Sequence, residues 1–193
     1  EGDLIFNVRP AVSFSREGPR LRVAGAASLN ALWYVDGVQT NRVLPQANIL
    51  ANLEAIDQLF FIEAALVANQ SILNPFLPTS AADSTFNKYT YVQWRVSPYL
   101  EGNVGNNWRY LVRSDNSYTY STQTDSELDN SYYGRHVGQV VLIARPVDGS
   151  VKVQRNVTRF YDQINAADQT LDTALATVNY RFTPQFTAGL RGG

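Results

Sequence analysis

Apolar and polar residues alternate along this chain in a series of runs, and the clearest pair spans residues 43–68. From 43 to 55 the odd positions are apolar throughout; the even ones are mostly Gln, Asn and Glu, with Leu44 and Leu50 as exceptions. After Asp57-Gln58 the alternation resumes. Phe60, Ile62, Ala64, Leu66 and Ala68 fall on one side, and Phe61, Glu63, Ala65, Val67 and Asn69 on the other. Side chains alternate faces along a strand, so each run has one apolar and one mixed or polar face. The runs approach the length that crosses a bilayer, and their polar faces carry isolated carboxylates. This is the pattern of a transmembrane hairpin with lipid on one side and a lumen on the other.

The remaining chain repeats the pattern. In residues 4–14, Leu4, Phe6, Val8, Pro10, Val12 and Phe14 oppose Asn7, Arg9, Ser13 and Ser15, although Pro10 removes a ladder donor. Residues 21–35 set Leu21, Val23, Leu29 and Trp33 against Arg22, Ser28, Asn30 and Tyr34. In 89–100, Val92, Trp94, Val96 and Leu100 oppose Tyr89, Tyr91, Gln93, Arg95 and Tyr99; Trp108, Tyr110 and Val112 oppose Arg109, Leu111, Arg113 and Asp115. Residues 132–145 leave the lipid face ambiguous. Asp148-Gly149, inside the turn predicted at 147–150, is the strongest hairpin signal. Residues 151–161 place Arg155 and Arg159 with Val153 and Val157, which is unfavourable on a lipid face unless a bulge or the opposite registration relieves it. Two further runs cover 174–182 and 186–190.

Short connections (16–20, 57–58, 102–107, 147–150, 183–185) alternate with long ones (36–42, 70–88, 115–131, 162–173). Outer-membrane barrels have short periplasmic turns and long outer loops. The expectation is therefore an all-β fold: a membrane-spanning antiparallel up-and-down β-barrel of about ten strands. Residues 1–193 would form a single segment of it, truncated at both ends.

Composition narrows the chemistry. Although 45% of residues are hydrophobic, no eighteen in succession are apolar, so no transmembrane helix is expected. Cysteine is absent, which removes disulfides and thiol chemistry, and the formal net charge of -1 offers no basic surplus for nucleic acid. His136 is the only histidine; it reads as a strand residue near a membrane interface, not a general base. Neither metal nor cofactor nor enzymatic activity is expected. The lumen-facing candidates are Arg9, Arg22, Gln46, Asn48, Asn52, Glu54, Glu63, Tyr89, Tyr91, Arg95, Glu101, Arg109, Arg113 and Arg181. The arginines fit a mildly anion-favouring lumen or, the preferred reading, ion pairs across a packed interior. Tyr34, Tyr89, Tyr91 and Tyr99 could stack on sugar rings; an aromatic girdle near the short turns would take Tyr99, Trp108, Tyr110, Tyr180, Phe182 and Phe186.

Residues 3–10, Asp3-Leu4-Ile5-Phe6-Asn7-Val8-Arg9-Pro10, with Arg22-Val23, Leu32-Trp33-Tyr34 and the Asp57-Gln58-Leu59-Phe60-Phe61 hairpin, carry a resemblance. They are similar to the large outer-membrane barrels associated with PEP-CTERM/exosortase systems. The hairpin Tyr180-Arg181-Phe182-Thr183-Pro184-Gln185-Phe186 is shared more widely among outer-membrane proteins. The resemblance implies a Gram-negative outer-membrane protein, longer than this piece and encoded among exopolysaccharide genes, and it supplies no catalytic residues. The expected function is a passive channel or export conduit for exopolysaccharide, with the lipid bilayer and polysaccharide as partners. A general or solute-selective porin and a structural or adhesive barrel are the alternatives.

Overall fold

A computed structural model describes residues 4–35, 41–72, 88–121, 130–161 and 167–193. They form one antiparallel sheet of eleven strands, and none of the described residues is helical. The strands are β1 (Ile5–Val8), β2 (Ala11–Glu17), β3 (Leu21–Tyr34), β4 (Arg42–Ile56), β5 (Phe60–Ile72) and β6 (Lys88–Val104). They continue as β7 (Trp108–Ser121), β8 (Ser131–Ile143), β9 (Val147–Phe160), β10 (Gln169–Arg181) and β11 (Thr187–Gly192). From β3 onward each strand pairs with the next in sequence, an up-and-down meander.

The alternation of side chains produced these strands almost where it predicted them. The first run is broken at Pro10 into β1 and β2, which pair with the two ends of β3 in one register. Four connections contain three residues each and the last, 182–186, five; the intervening ones, 35–41, 73–87, 122–130 and 161–168, are all longer. Long and short connections therefore lie at opposite ends of the sheet.

Three boundaries differ most from expectation. Asp148 and Gly149 are not the turn: both are ladder residues of β9, opposite Asn179 and Val178, and the chain reverses at residues 144–146, where the Arg145–Pro146 peptide is cis. Proline punctuates this hairpin more strongly than Asp-Gly does. The predicted loop at 115–131 loses its first seven residues to β7, because Ser, Thr and Tyr there alternate faces in a paired strand. The predicted loop at 162–173 likewise loses 169–173 to β10.

Paired residues followed sideways reveal the shear. Leu21, the first residue of β3, faces Leu53, which faces Ile62 of β5, which faces Pro98 of β6. The pairs Val96–Asn116 and Tyr99–Arg113 carry this row to Ser114, and it continues through His136 and Arg155 to Asp172, the fourth residue of β10. Thirteen residues of β3 lie beyond the row on the long-connection side, but only three of β10. A drift of ten residues over seven strand steps is a tilt of roughly 45°, taking ~3.3 Å per residue and ~4.8 Å between strands, as in barrel walls. The sheet is open: β11 does not pair with β1 or β2.

Every substantial contact between elements joins ladder neighbours, so no second layer covers the sheet among the described residues. Burial is correspondingly inverted. Among the described residues, seven apolar side chains are buried, whereas 31 large ones are exposed. Apart from Leu50, Tyr133, Ile143 and Leu171, the exposed ones in strands share a single face with Val23, Ile49, Leu66 and Val96.

Candidate functional site

The opposite face is polar, and all fourteen lumen-facing candidates belong to it. Arg22, Asn52 and Glu63 stand opposite one another across β3, β4 and β5, with Ser97 beside Glu63 on β6. Gln46, Asn48 and Glu54 share the parity of Asn52 on β4; Tyr89, Tyr91, Arg95 and Glu101 share that of Ser97 on β6. Arg109 and Arg113 on β7 and Arg181 on β10 follow through the ladders. Arg9 keeps the same parity, in the break between β1 and β2.

Arg113 anchors a charged cluster that bridges four strands. Its Nη2 lies 2.6 Å from Glu63 Oε2 on β5, and its Nε lies 2.7 Å from Asp115 Oδ1 two residues along. Arg135 of β8 donates to the second oxygen, Oδ2, of Asp115, with Nη2 at 2.7 Å. The Arg113 guanidinium also sits 5.0 Å over the Tyr99 ring, which stacks on Phe61 at 4.9 Å. Small, fully buried Ser97 on the intervening β6 leaves room for a guanidinium to cross that strand. Charge-assisted bonds of this length hold both carboxylates in place. Arg113 is thus committed to ion pairs, whereas Arg22, Arg95 and Arg109 are exposed and join none among the described residues.

Arg135 is a member of the charged cluster that the sequence did not yield. Gly134, His136 and Gly138 blur the alternation of β8, and only its pairing with β7, Asp115 opposite Arg135, fixes the face. The β8–β9 ladder in turn places Lys152 of β9 on the polar face, opposite Gln139.

The tyrosines do not make one continuous track. Tyr34 packs with Leu32, Leu44 and Ile5 in a small apolar cluster toward the long connections. Tyr89 is buried, and Tyr99 lies eight residues beyond Tyr91 on the same strand. Tyr99 is also absent from the aromatic group on the apolar face, where Trp108, Tyr110 and Tyr180 stand near the short turns. Tyr180, Phe182 and Phe186 contact one another there, with ring centroids 4.7 and 5.4 Å apart.

The apolar face has its own polar interruption on β7–β10. Tyr132 donates through its hydroxyl to Asn116 at 2.7 Å, Asn116 Nδ2 donates to Ser114 Oγ at 3.0 Å, and Ser114 Oγ lies 3.0 Å from His136 Nδ1. Arg155, opposite His136, forms two 2.7 Å hydrogen bonds with Asp172. This pair supplies the relief expected of a bulge or shifted registration; the β9 ladders run without either. Gly138 leaves a groove of about 710 Å³ beside the row, walled by Val112, Val153 and Ala174. The Ser114–His136 distance suits a nucleophile and base. However, Asp172, the carboxylate nearest in the row, is engaged by Arg155 and not by the ring. The arrangement is a lateral chain of hydrogen bonds within the face. Among the described residues, no group of three or more His, Cys, Asp or Glu could hold a metal.

No family model, curated protein or solved structure matches the chain, and the functional reading rests on the chemistry of its two faces.

Proposed function

We propose that this sheet is part of the wall of a bacterial outer-membrane β-barrel, its apolar face toward lipid and its polar face toward a water-filled lumen. The barrel acts as a passive conduit with no covalent chemistry, and exopolysaccharide is the cargo that the sequence resemblance implies. The observation that carries this reading is the inverted burial: exposed Phe14, Trp33, Trp94, Val112, Val151 and Val178 share one uncovered face, while Arg113, Asp115 and Ser97 are sheltered on the other. In water so large a contiguous apolar surface is an aggregation hazard; in a bilayer it is the required exterior. The uniform shear and the segregation of long connections to one end support the same reading.

Two measurements test it on the full-length protein. Heat-modifiable migration in gels and stable conductance steps in planar bilayers are expected. A detergent-independent soluble monomer would overturn the membrane assignment. A folded, membrane-inserted protein that never conducts would replace the conduit with a structural or adhesive barrel.

A further inference from the structure

The polar face carries more positive charge than its own carboxylates neutralise. Ladder parity assigns ten basic side chains to it and six acidic ones: Glu17, Glu54, Glu63, Glu101, Asp115 and Asp148. The compensating acids are elsewhere. The long connections contain seven acidic residues and no basic one, so a net charge of -1 conceals a segregated distribution. The structure also separates used from unused cations. Arg113 and Arg135 are half-buried and consume Glu63 and Asp115, while Arg22 and Arg95 are exposed and join no ion pair among the described residues. Arg22 faces Glu17 across the β2–β3 ladder without forming one.

Two of the unpaired arginines, Arg22 and Arg95, open onto hollows of the polar face. Arg95 lines a cavity of about 490 Å³ together with Arg113, Arg135, Gln93 and Ser117, and its one carboxylate, Asp115, is engaged by Arg113 and Arg135. Arg22 lines another of about 290 Å³ with Arg20, Asn52, Tyr99 and two carboxylates, of which Glu63 is engaged by Arg113 and Glu54 accepts from the Gln58 backbone N–H. Arg113 belongs to the first and touches Glu63 and Tyr99 of the second, so the two adjoin. Guanidinium forks match carboxylates, neutral amides and hydroxyls match sugar hydroxyls, and aromatic faces match the rings. Register separates Arg22 from Arg95 by three strands and one step along the sheet, roughly 15 Å at ~4.8 Å per strand. A single small anion cannot engage both. A polymer can.

We propose that the polar face recognises carboxylate-bearing solutes, with Arg22 and Arg95 as two contact points that a polyuronate chain spans at once. The inference takes its biological setting from the conduit reading but can fail separately from it. The test is calorimetric titration of the detergent-solubilised full-length protein with polygalacturonate, galacturonate and neutral dextran, alongside reversal potentials in a KCl gradient. Expected are binding of polygalacturonate that weakens with salt, no binding of dextran, and an anion-favouring reversal potential. Arg22→Gln and Arg95→Gln each weaken polymer binding about three- to tenfold, the range for an exposed to partly desolvated charged contact. Galacturonate responds to only one of the two. Arg16→Gln, on the apolar face, leaves all three titrations unchanged and serves as the control. Equal binding of dextran, or undiminished polymer binding by the Arg22/Arg95 double variant, overturns the proposal. Polymer binding without conductance sinks the conduit and leaves this recognition standing; cation-selective conductance without polymer binding does the reverse.

Discussion

On the apolar face, β3–β6 and β7–β10 solve the same problem differently. In β3–β6 the row from Gly25 through Ile49 and Leu66 to Trp94 contains no polar side chain, and Phe14 and Ile49 close over Gly25 so that a Cβ there would lie 2.9 Å from each. In β7–β10 the row beginning at Ser114 runs through His136 and Arg155 to Asp172. Its polar atoms satisfy one another sideways, within the face, by the hydrogen bonds from Tyr132 to His136 and by the Arg155–Asp172 pair. The first half achieves an apolar surface by composition, the second by pairing. A polar group on such a surface is tolerable when its partner stands directly opposite it in the ladder, and register is what brings that partner there.

The sharpest way to break the comparison is to put an unpaired charge into the clean half. Leu66→Arg, flanked by Ile49 and Trp94, should lower stability by about 2–4 kcal/mol near the bilayer midplane. Urea titration of protein refolded into vesicles measures it. In water the same substitution at this half-buried site carries no hydrocarbon penalty. A negligible loss in vesicles would therefore remove the lipid-facing role of β3–β6.

The second substitution unpairs the other half. Asp172→Asn leaves Arg155 opposite an amide, and the same titration should show a clear loss, recovered in the Arg155→Gln/Asp172→Asn double variant. An exposed pair in high dielectric contributes little and would give no such recovery. A flat response would mean that β9–β10 meets water or a polar neighbour instead of hydrocarbon.

These two halves also mark how far the sequence could be read. In β3–β6, the prevailing alternation of Val, Ile, Leu and Ala with Arg, Asn, Gln and Glu made strands and faces legible together despite Leu44 and Leu50; the bulge between Glu54 and Ile56 only carries Ile56 over to the apolar face. In β8 and β9 the apolar face contains Gly134, His136, Gly138, Arg155 and Arg159, while Val141 and Ile143 lie on the polar side. There, composition and parity conflict. The conflict is resolved by pairing between Asp172 and Arg155 or Asp115 and Arg135, contacts separated by 17 and 20 residues that no local pattern encodes. The polar-face candidates were legible because each sits in a run whose parity is clear. Which arginines are neutralised was not, since that depends on side chains reaching across ladders, as Arg113 does to Glu63 fifty residues away.

The ion-pair cluster on the polar face gives a third, somewhat smaller effect. Arg113→Gln removes the only cation paired with Glu63 among the described residues, while Asp115 keeps Arg135. Losing charged hydrogen bonds at a half-buried site should lower stability by about 1–3 kcal/mol, with Glu63→Gln/Arg113→Gln recovering part of it. On the proposed reading this face meets neither hydrocarbon nor detergent, so the effect should be similar in vesicles and in detergent. A loss seen only in vesicles would move the cluster to the lipid side.

The smallest effect tests how glycines are used where the two halves of the apolar face meet. Gly102 of β6 faces Tyr110 of β7, and a Cβ on Gly102 would lie 2.6 Å from the Tyr110 hydroxyl oxygen and 2.9 Å from its ring. The ring covers the glycine and fills the space of the missing side chain. Gly102→Ala must therefore displace Tyr110, at a cost of about 1 kcal/mol for local overpacking. The added methyl would be harmless beside a smaller neighbour, so Tyr110→Ala should abolish the penalty even though it sacrifices the ring's own burial. A double-mutant cycle in the vesicle titration isolates this coupling. A coupling near zero would mean that the tyrosine moves freely toward the interface, and that the seam between the halves is held by its backbone ladder alone.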